Sequence, residues 1–544
     1  MDSTIETESI PSTSLYSKTA IESAVSSLSL DEKVGQLFVA GFDGTTPTRE
    51  IERLVSERHL GGVIYFSRNV ESPEQVQTLS RTLQGFVPDG LPPLLLSIDQ
   101  EGGRVARLSW GTELPSAMTL GATDDSALAT RAGNAVGREL RSLGIDIDLA
   151  PVLDVNNNPD NPVIGVRSFG ERPEHVATLG SAFADGIQEA SVIACGKHFP
   201  GHGDTAVDSH LDLPVIDHDR DRLDAVELQP FRQAIEANIG AIMTTHVAFP
   251  TITGDAERPA TLSRRVITDL LRKELGFDGL VLTDCMEMDA IADGVGTVEG
   301  CVRAVEAGCD QICVSHTPRK QHAAIDAVID AVESERIAES QIDTSVRRIV
   351  RAKQTFGAGY VGGTDEWNTV ADECRSVGRT VAERGVTLVR DVSNAIPLPD
   401  HTVSVYEFEA GRGSLAEETQ DNQGVFASAL SAAGATVDAT VLQKGEFPDE
   451  IEDRPTVVCT SEAVSNPDQA TVVRNLIAEG VNPIVVAVRN PYDLSVLSGV
   501  RTYMTTYDDT EASLVAAAEL LVGNGKPTGR LPVTIPNRDN TLER

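Results

Sequence analysis

Basic residues are scarce in this 544-residue chain. It has 45 Lys and Arg against 82 Asp and Glu, for a formal net charge of −37, and only eight of the 45 are lysine. With so few cations there is no basic stripe to neutralise a phosphate backbone, which excludes a nucleic-acid binder. Docking on an anionic membrane is excluded on the same ground. Long apolar runs are also lacking: no stretch of about 18 such residues occurs, so no membrane span is expected. The opening segment MDSTIETESIPSTSLYSK has neither a basic n-region nor an apolar h-region, so no secretory signal is expected. Cysteine is sparse and odd in number, seven in all, with no CxxC pair. That predicts a reducing, cytoplasmic setting without a disulfide framework or zinc ribbon. Aromatics make up only 4%, but 40% of the chain is hydrophobic, enough for a sizeable core. An acidic, lysine-poor surface on a folded protein fits a high-salt, halophilic cytosol, where ions screen self-repulsion; an ordinary acidic protein is the alternative.

What is present is an alternation of short apolar strands and amphipathic helices. Strands are expected at 36–40, 62–66, 94–98, 145–149, 192–196, 241–245, 279–283 and 311–315, with helical patterns between them, such as 73–84, 125–143 and 173–190. Near-continuous apolar strands are buried on both faces, as in parallel sheets. Eight β-α units point to an α/β fold, an N-terminal (β/α)8 TIM-like barrel, with a doubly wound open sheet as the alternative. A second α/β pattern follows, with strands at 385–390, 402–408, 455–460, 483–488 and 501–506. The expected division is a disordered tail over 1–18, a catalytic barrel over 19–360, a helical connector over 361–384 and a C-terminal α/β sandwich domain over 385–544.

In such a barrel the active site lies at the C-terminal ends of the strands. Polar residues stand there in succession: Asp99, Asp154, Lys197 with His198, His246, Asp284 and His316. The segment KHFPGHGDTAVDSH at 197–210 is the richest, and its Gly and Pro mark it as a loop. Within it, Asp208 and His210 form an Asp-x-His pair, in which a carboxylate favours the protonated imidazole and fixes its tautomer. The same loop permits a rival reading as a metal site, with His198, His202, Asp204, Asp208 and His210 as ligands.

KHFPGHGDTAVDSH, IDQEGGRVARL at 98–108, APVLDVNNNP at 150–159, RSFGERPE at 167–174 and ELGFDGLVLTDCMEM at 274–288 together resemble glycoside hydrolase family 3, and within it the β-N-acetylhexosaminidase (N-acetylglucosaminidase) branch. VRNPYDL at 488–494 and GKPTGRLPVTIP at 525–536 are similar to that family's C-terminal signatures. The resemblance implies a retaining glycosidase releasing terminal β-linked N-acetylglucosamine from oligosaccharides, with no cofactor and no catalytic metal. It implies Asp284 as nucleophile and Asp208 with His210 as the acid/base dyad. Asp99, Arg107, Arg167, Lys197 and His198 would grip sugar hydroxyls, and His246 and Met288 would line the pocket. The residue after the nucleophile, often acidic or small in the family, is Cys285 here. Another β-glycosidase of the family (β-glucosidase or β-xylosidase), a metal-dependent hydrolase and a non-catalytic sugar-binding protein are the competing readings. The oligomeric state is not legible.

Overall fold

The computed structural model describes residues 18–208, 212–399, 402–408, 417 and 423–536. The tail expected over 1–18 falls outside these residues except for Lys18, which opens a helix, Lys18–Ser27. Strands follow in chain order: β1 (Phe38–Ala40), β2 (Gly62–Tyr65), β3 (Leu95–Ile98), β4 (Gln100–Gly102), β5 (Val105–Ala106), β6 (Ile147–Asp148), β7 (Ile193–Phe199), β8 (Ala241–Thr244), β9 (Leu280–Thr283) and β10 (Ile312–Val314). Eight of them form one parallel sheet in the order β10-β1-β2-β3-β6-β7-β8-β9, while β4 and β5 make a small hairpin above it. The sheet is nearly closed into a barrel: the Asp310 and Gln311 amides donate to the Val281 carbonyl (2.8 and 3.1 Å), and Leu282 bridges Gln311 in parallel. Val63, Leu96, Ile147, Ile193, Ile242, Val281 and Ile312 are fully buried. Each such side chain contributes roughly 1.5–3 kcal/mol by leaving water.

Two features of the barrel's strands differ from the sequence expectation. Lys197 and His198, assigned by sequence to a loop, lie on β7, which runs on to Phe199. The β4–β5 hairpin was not expected at all, because three- and two-residue strands carry no readable period.

The second sheet holds β11 (Thr387–Asp391), β12 (Thr402–Phe408), β13 (Thr436–Leu442), β14 (Thr456–Thr460), β15 (Ile484–Ala487) and β16 (Thr502–Thr505) in the order β11-β16-β15-β14-β12-β13. All neighbours are parallel except β11, which runs antiparallel to β16. Val403, Val405, Val457, Ile484 and Val486 face one helical layer with Phe426, Leu430 and Leu521. Tyr406, Val458, Val485 and Tyr503 face the other with Val473 and Leu476. This alternation is that of a strand covered on both sides. The expected connector is one 22-residue helix, Thr364–Gly385. Trp367, Val370 and Val381 join the barrel core, while Ala382 belongs to the second core. Met118, Ala122, Val166, Tyr492, Tyr507 and Val533 form a small apolar cluster between the domains.

Candidate active site

A cavity of about 590 Å³ opens at the C-terminal ends of the barrel strands, within the range of ordinary small-molecule sites. Asp99, Arg107, Arg167, Lys197, His198, Asp284 and Met288 all line it. Among the described residues, its lining comes from the barrel.

The floor is an ion-paired cluster built on three strand ends. Lys197, on β7, places Nζ 2.7 Å from Asp99 Oδ1 and 2.6 Å from Glu101 Oε1. Arg167 donates from Nε and Nη2 to the two oxygens of Glu101, each at 2.8 Å. Arg107 Nη2 lies 3.4 Å from Asp99 Oδ2. Burial alone would raise the Asp99 and Glu101 pKa values, but the neighbouring cations outweigh it and hold both carboxyls below their ordinary values. The same carboxylates raise Lys197 and Arg167 against the opposing effect of burial. Asp99, Glu101, Lys197 and Arg167 are therefore charged at neutral pH, and fixed donors and acceptors alternate around the floor. Such a surface recognises a neutral, hydroxyl-rich ligand.

His198 lines the cavity, with Nδ1 2.7 Å from Asp154 Oδ2. Asp154 is fully buried and also accepts the backbone N–H of His202 at 2.6 Å. Burial pushes its pKa up, and His198 with His202 brings it below the ordinary value. An ionised Asp154 keeps the hydrogen on Nδ1 of His198 and fixes the ring. His202, 2% exposed, bonds Thr205 Oγ1 through Nδ1 (2.9 Å). Burial, followed by the charge of His198, lowers its pKa to about 4, so it is neutral at pH 7.

Asp284 follows β9 directly. Its Oδ1 accepts the N–H of Cys285 at 2.7 Å, and it lines the same cavity as the ion-paired floor. Cys285 shares the wall, and burial pushes its thiol up to about 11, so it is not a thiolate at neutral pH.

His246 requires a correction. It does not line the cavity. It is fully buried, with Nδ1 2.9 Å from Thr261 Oγ1 and Nε2 3.0 Å from the Cys285 carbonyl. It stands behind the wall and braces the residue next to Asp284. Asp208 is buried outside the cavity lining, and His210 lies outside the described residues. The metal set proposed from the loop is not brought together among the described residues. His198 and His202 bond Asp154 and Thr205, and Asp204 groups instead with His218 and Glu227.

Sequence reasoning left Glu101 without a role. Its signal was present: Asp99 and Glu101 are two residues apart in an extended segment and so share a face. Asp154 and His316 were noted at strand ends without roles; the first holds His198, and the second lines the cavity mouth. There the Phe66 ring is stacked by the Arg68 guanidinium, 4.3 Å from its centroid, and the His316 ring lies at 5.3 Å.

A carboxylate, Asp284, on the wall of a cavity with an ion-paired floor at the top of a parallel barrel is an arrangement suited to a glycosidase. The chain belongs to glycosyl hydrolase family 3 and is an enzyme that hydrolyses glycosides: residues 29–352 match the family's N-terminal domain and residues 288–544 its C-terminal domain. It is 31% identical to β-hexosaminidase A of Pseudoalteromonas piscicida, over 90% of this chain and 92% of that one. It is 38% identical to a β-hexosaminidase of Alkalilimnicola ehrlichii, over 52% of this chain and 82% of that one. Among solved structures, the family 3 β-N-acetylglucosaminidase from Paenibacillus sp. superposes with a TM-score of 0.86 at 41% identity, covering 93% of this chain and 99% of that one.

Proposed function

We propose that this enzyme is a retaining β-N-acetylhexosaminidase that releases terminal β-linked N-acetylglucosamine from oligosaccharides. The observation that carries the reading is Asp284, whose side chain lines the same cavity as the Asp99–Lys197–Glu101–Arg167 cluster. The cluster, with Arg107 and His198, holds the hydroxyls of the terminal sugar and presents its anomeric carbon to Asp284. An oxygen of Asp284 attacks that carbon as the glycosidic C–O bond breaks, and His210 gives its proton to the departing oxygen. In the second step water loses a proton to His210, attacks the same carbon and releases Asp284. Asp208 orients His210 and favours its charged form. No step uses a metal or cofactor. The seven free thiols support placement in a reducing cytoplasm.

Assays on nitrophenyl N-acetyl-β-glucosaminide, β-glucoside and β-xyloside test the reading. Turnover should be confined to the first and should vanish in Asp284→Asn with the fold retained. Near-native hydrolysis by Asp284→Ala removes the nucleophile assignment. Preference for the glucoside or xyloside moves the enzyme to another specificity of the family. Loss of activity in a chelator favours metal-dependent hydrolysis.

A further inference from the structure

Glu101 and Arg107 reach the cavity from the β4–β5 hairpin, which is a weak element. Its ladder holds two residue pairs, Gln100 with Ala106 and Gly102 with Val105, and a two-stranded ribbon is marginal by itself. Its turn opens with Gly102 and Gly103, at φ +102° and +57°, and glycine loses more freedom on folding than any other residue. The foot of the hairpin is fixed within the barrel: the Gln100 N–H donates to Asp148 Oδ1 and the Leu108 N–H to Gln100 Oε1, each at 3.1 Å. The tip is tied to the C-terminal domain. Arg104, buried in the turn, donates from Nε (3.2 Å) and Nη2 (2.8 Å) to the two oxygens of Asp509. The Gly103 N–H donates to the Leu114 carbonyl at 2.7 Å, so the tip also rests on the chain before Ser116. Asp508 holds that stretch, accepting the Ser116 N–H at 2.7 Å and the Thr119 hydroxyl at 3.0 Å.

Asp508 and Asp509 are consecutive, buried, and close behind β16. The residue before them, Tyr507, is fully buried at φ +66°, a left-handed conformation unfavourable for a bulky side chain that persists only where the surroundings impose it. Its hydroxyl donates to Thr387 Oγ1 at 2.8 Å, which anchors the turn to β11. The partner of Glu101 meets the same domain. Arg167, bidentate to Glu101, closes the short helix Gly165–Arg167. Gly165 packs on Asn490 so closely that a Cβ would fall 2.9 Å from its Oδ1. Asn490 lies beyond β15 and donates to Glu462 Oε1 at 3.2 Å, and Glu462 pairs with Arg489 at 2.6 Å. The segments after β15 and β16 thus touch the two carriers of the Glu101–Arg167 pair. Asn490, Asp508 and Asp509 themselves stand outside the cavity lining.

We propose that Asp509 and Arg104 are positioning residues for the active site: the turn at 507–509 of the C-terminal domain sets, through Arg104, the place of the hairpin and so of Glu101 in the floor. The inference rests on the reading of that floor as the seat of the terminal sugar. A misplacement of about 1 Å costs on the order of 10²-fold. Releasing the tip should therefore cost activity although no residue that touches the sugar has changed, and the cost should run through Glu101.

The test is a double-mutant cycle on 2,4-dinitrophenyl N-acetyl-β-glucosaminide, whose leaving group departs without a proton, so that the acid does not enter the comparison. The cycle measures kcat/KM for the wild type, Asp509→Asn, Glu101→Gln and the two combined. Each single variant should lose about tenfold or more. The double variant should fall well short of the product of the two losses, because a residue that acts through Glu101 has little left to disturb once Glu101 is replaced. Losses that multiply are those of a merely structural contact and overturn the proposal, as does an undiminished Asp509→Asn. Breaking a buried pair strands a charge, so Arg104→Met with Asp509→Leu, which removes both charges together, is assayed alongside, well below its melting temperature. The loss in kcat/KM should persist there, and wild-type activity in that paired variant also overturns the proposal. Glu101→Gln separates the two levels of the argument. If it loses activity and Asp509→Asn does not, the positioning role alone falls. If it keeps full activity, the reading of the floor falls and the positioning role with it.

Discussion

Lys197 bridges two buried carboxylates, Asp99 and Glu101, and together with Arg107 and Arg167 holds both below their ordinary pKa values. Removing it while keeping its bulk, as in Lys197→Met, strands charge in the floor, and breaking a buried pair typically costs about 3–5 kcal/mol. The expected result is a lower melting temperature and a raised KM, with the destabilisation smaller in acid, where the orphaned carboxylates take up protons. Melting curves at several pH values check this. Glu101 sets the acid limb of stability in a defined direction. Its pKa in the fold lies below the ordinary 4.5, so its contribution is present above that value and is lost as pH falls toward the lower folded one. Glu101→Gln should therefore show a shallower fall in melting temperature than the wild type below about pH 4.5. A steeper fall would show that the Arg167 and Lys197 pairs do not lower its pKa.

Among the elements, those with strong hydrophobic period were legible and those shaped by tertiary contacts were not. All eight barrel strands lie within two residues of their expected starts because each is a buried apolar run, as at Leu95–Ile98 and Leu280–Thr283. β7 overran its expected end because Lys197 and His198 break the apolar pattern, yet their side chains are satisfied by Asp99 and Asp154, carboxylates that follow other strands. β13 escaped notice: it is an edge strand with an exposed face, and its TVDATVL reads as polar. The site was legible wherever a residue followed a strand directly, as at Asp99 and Asp284. It failed at His246, whose ring is taken up by Thr261 and the Cys285 carbonyl, tertiary partners that pattern does not show. The helix Ser126–Ser142 carries its own anomaly, a fully buried Glu139 whose carboxylate accepts the Thr112 N–H (2.8 Å) and hydroxyl. Burial raises its pKa to about 7. A carboxyl raised in the fold destabilises increasingly as pH climbs from its unfolded value to its folded one. Glu139→Gln, which keeps an acceptor for Thr112, should raise the melting temperature at pH 8 more than at pH 5; an equal change at both would show that Glu139 does not titrate in this range.

On the scale of the whole molecule, the second domain supports the site through the barrel. Arg104, in the turn of the β4–β5 hairpin that carries Glu101, pairs with Asp509 at 2.8 Å. Asp508 accepts the Ser116 N–H at 2.7 Å and the Thr119 hydroxyl at 3.0 Å. The hairpin is thus pinned from the far side of the interface. The net charge of −37 acts over the same scale. We propose a dependence on concentrated salt, since the Debye length shrinks from about 10 Å at 0.1 M to about 3 Å at 1 M and relieves self-repulsion. Activity and melting temperature should both rise between dilute buffer and molar KCl. A full-activity enzyme with an unchanged melting temperature in dilute buffer contradicts this.

Trapping the covalent intermediate tests the central claim most directly. In His210→Ala the dinitrophenyl glycoside still forms the glycosyl-enzyme, because its leaving group needs no proton, while hydrolysis of that intermediate lacks its base. Acid quenching, digestion and mass spectrometry should then find one N-acetylhexosaminyl residue on the peptide containing Asp284, and none when Asp284→Asn is added. An adduct on any other residue, or no adduct together with release of the inverted anomer, contradicts the account.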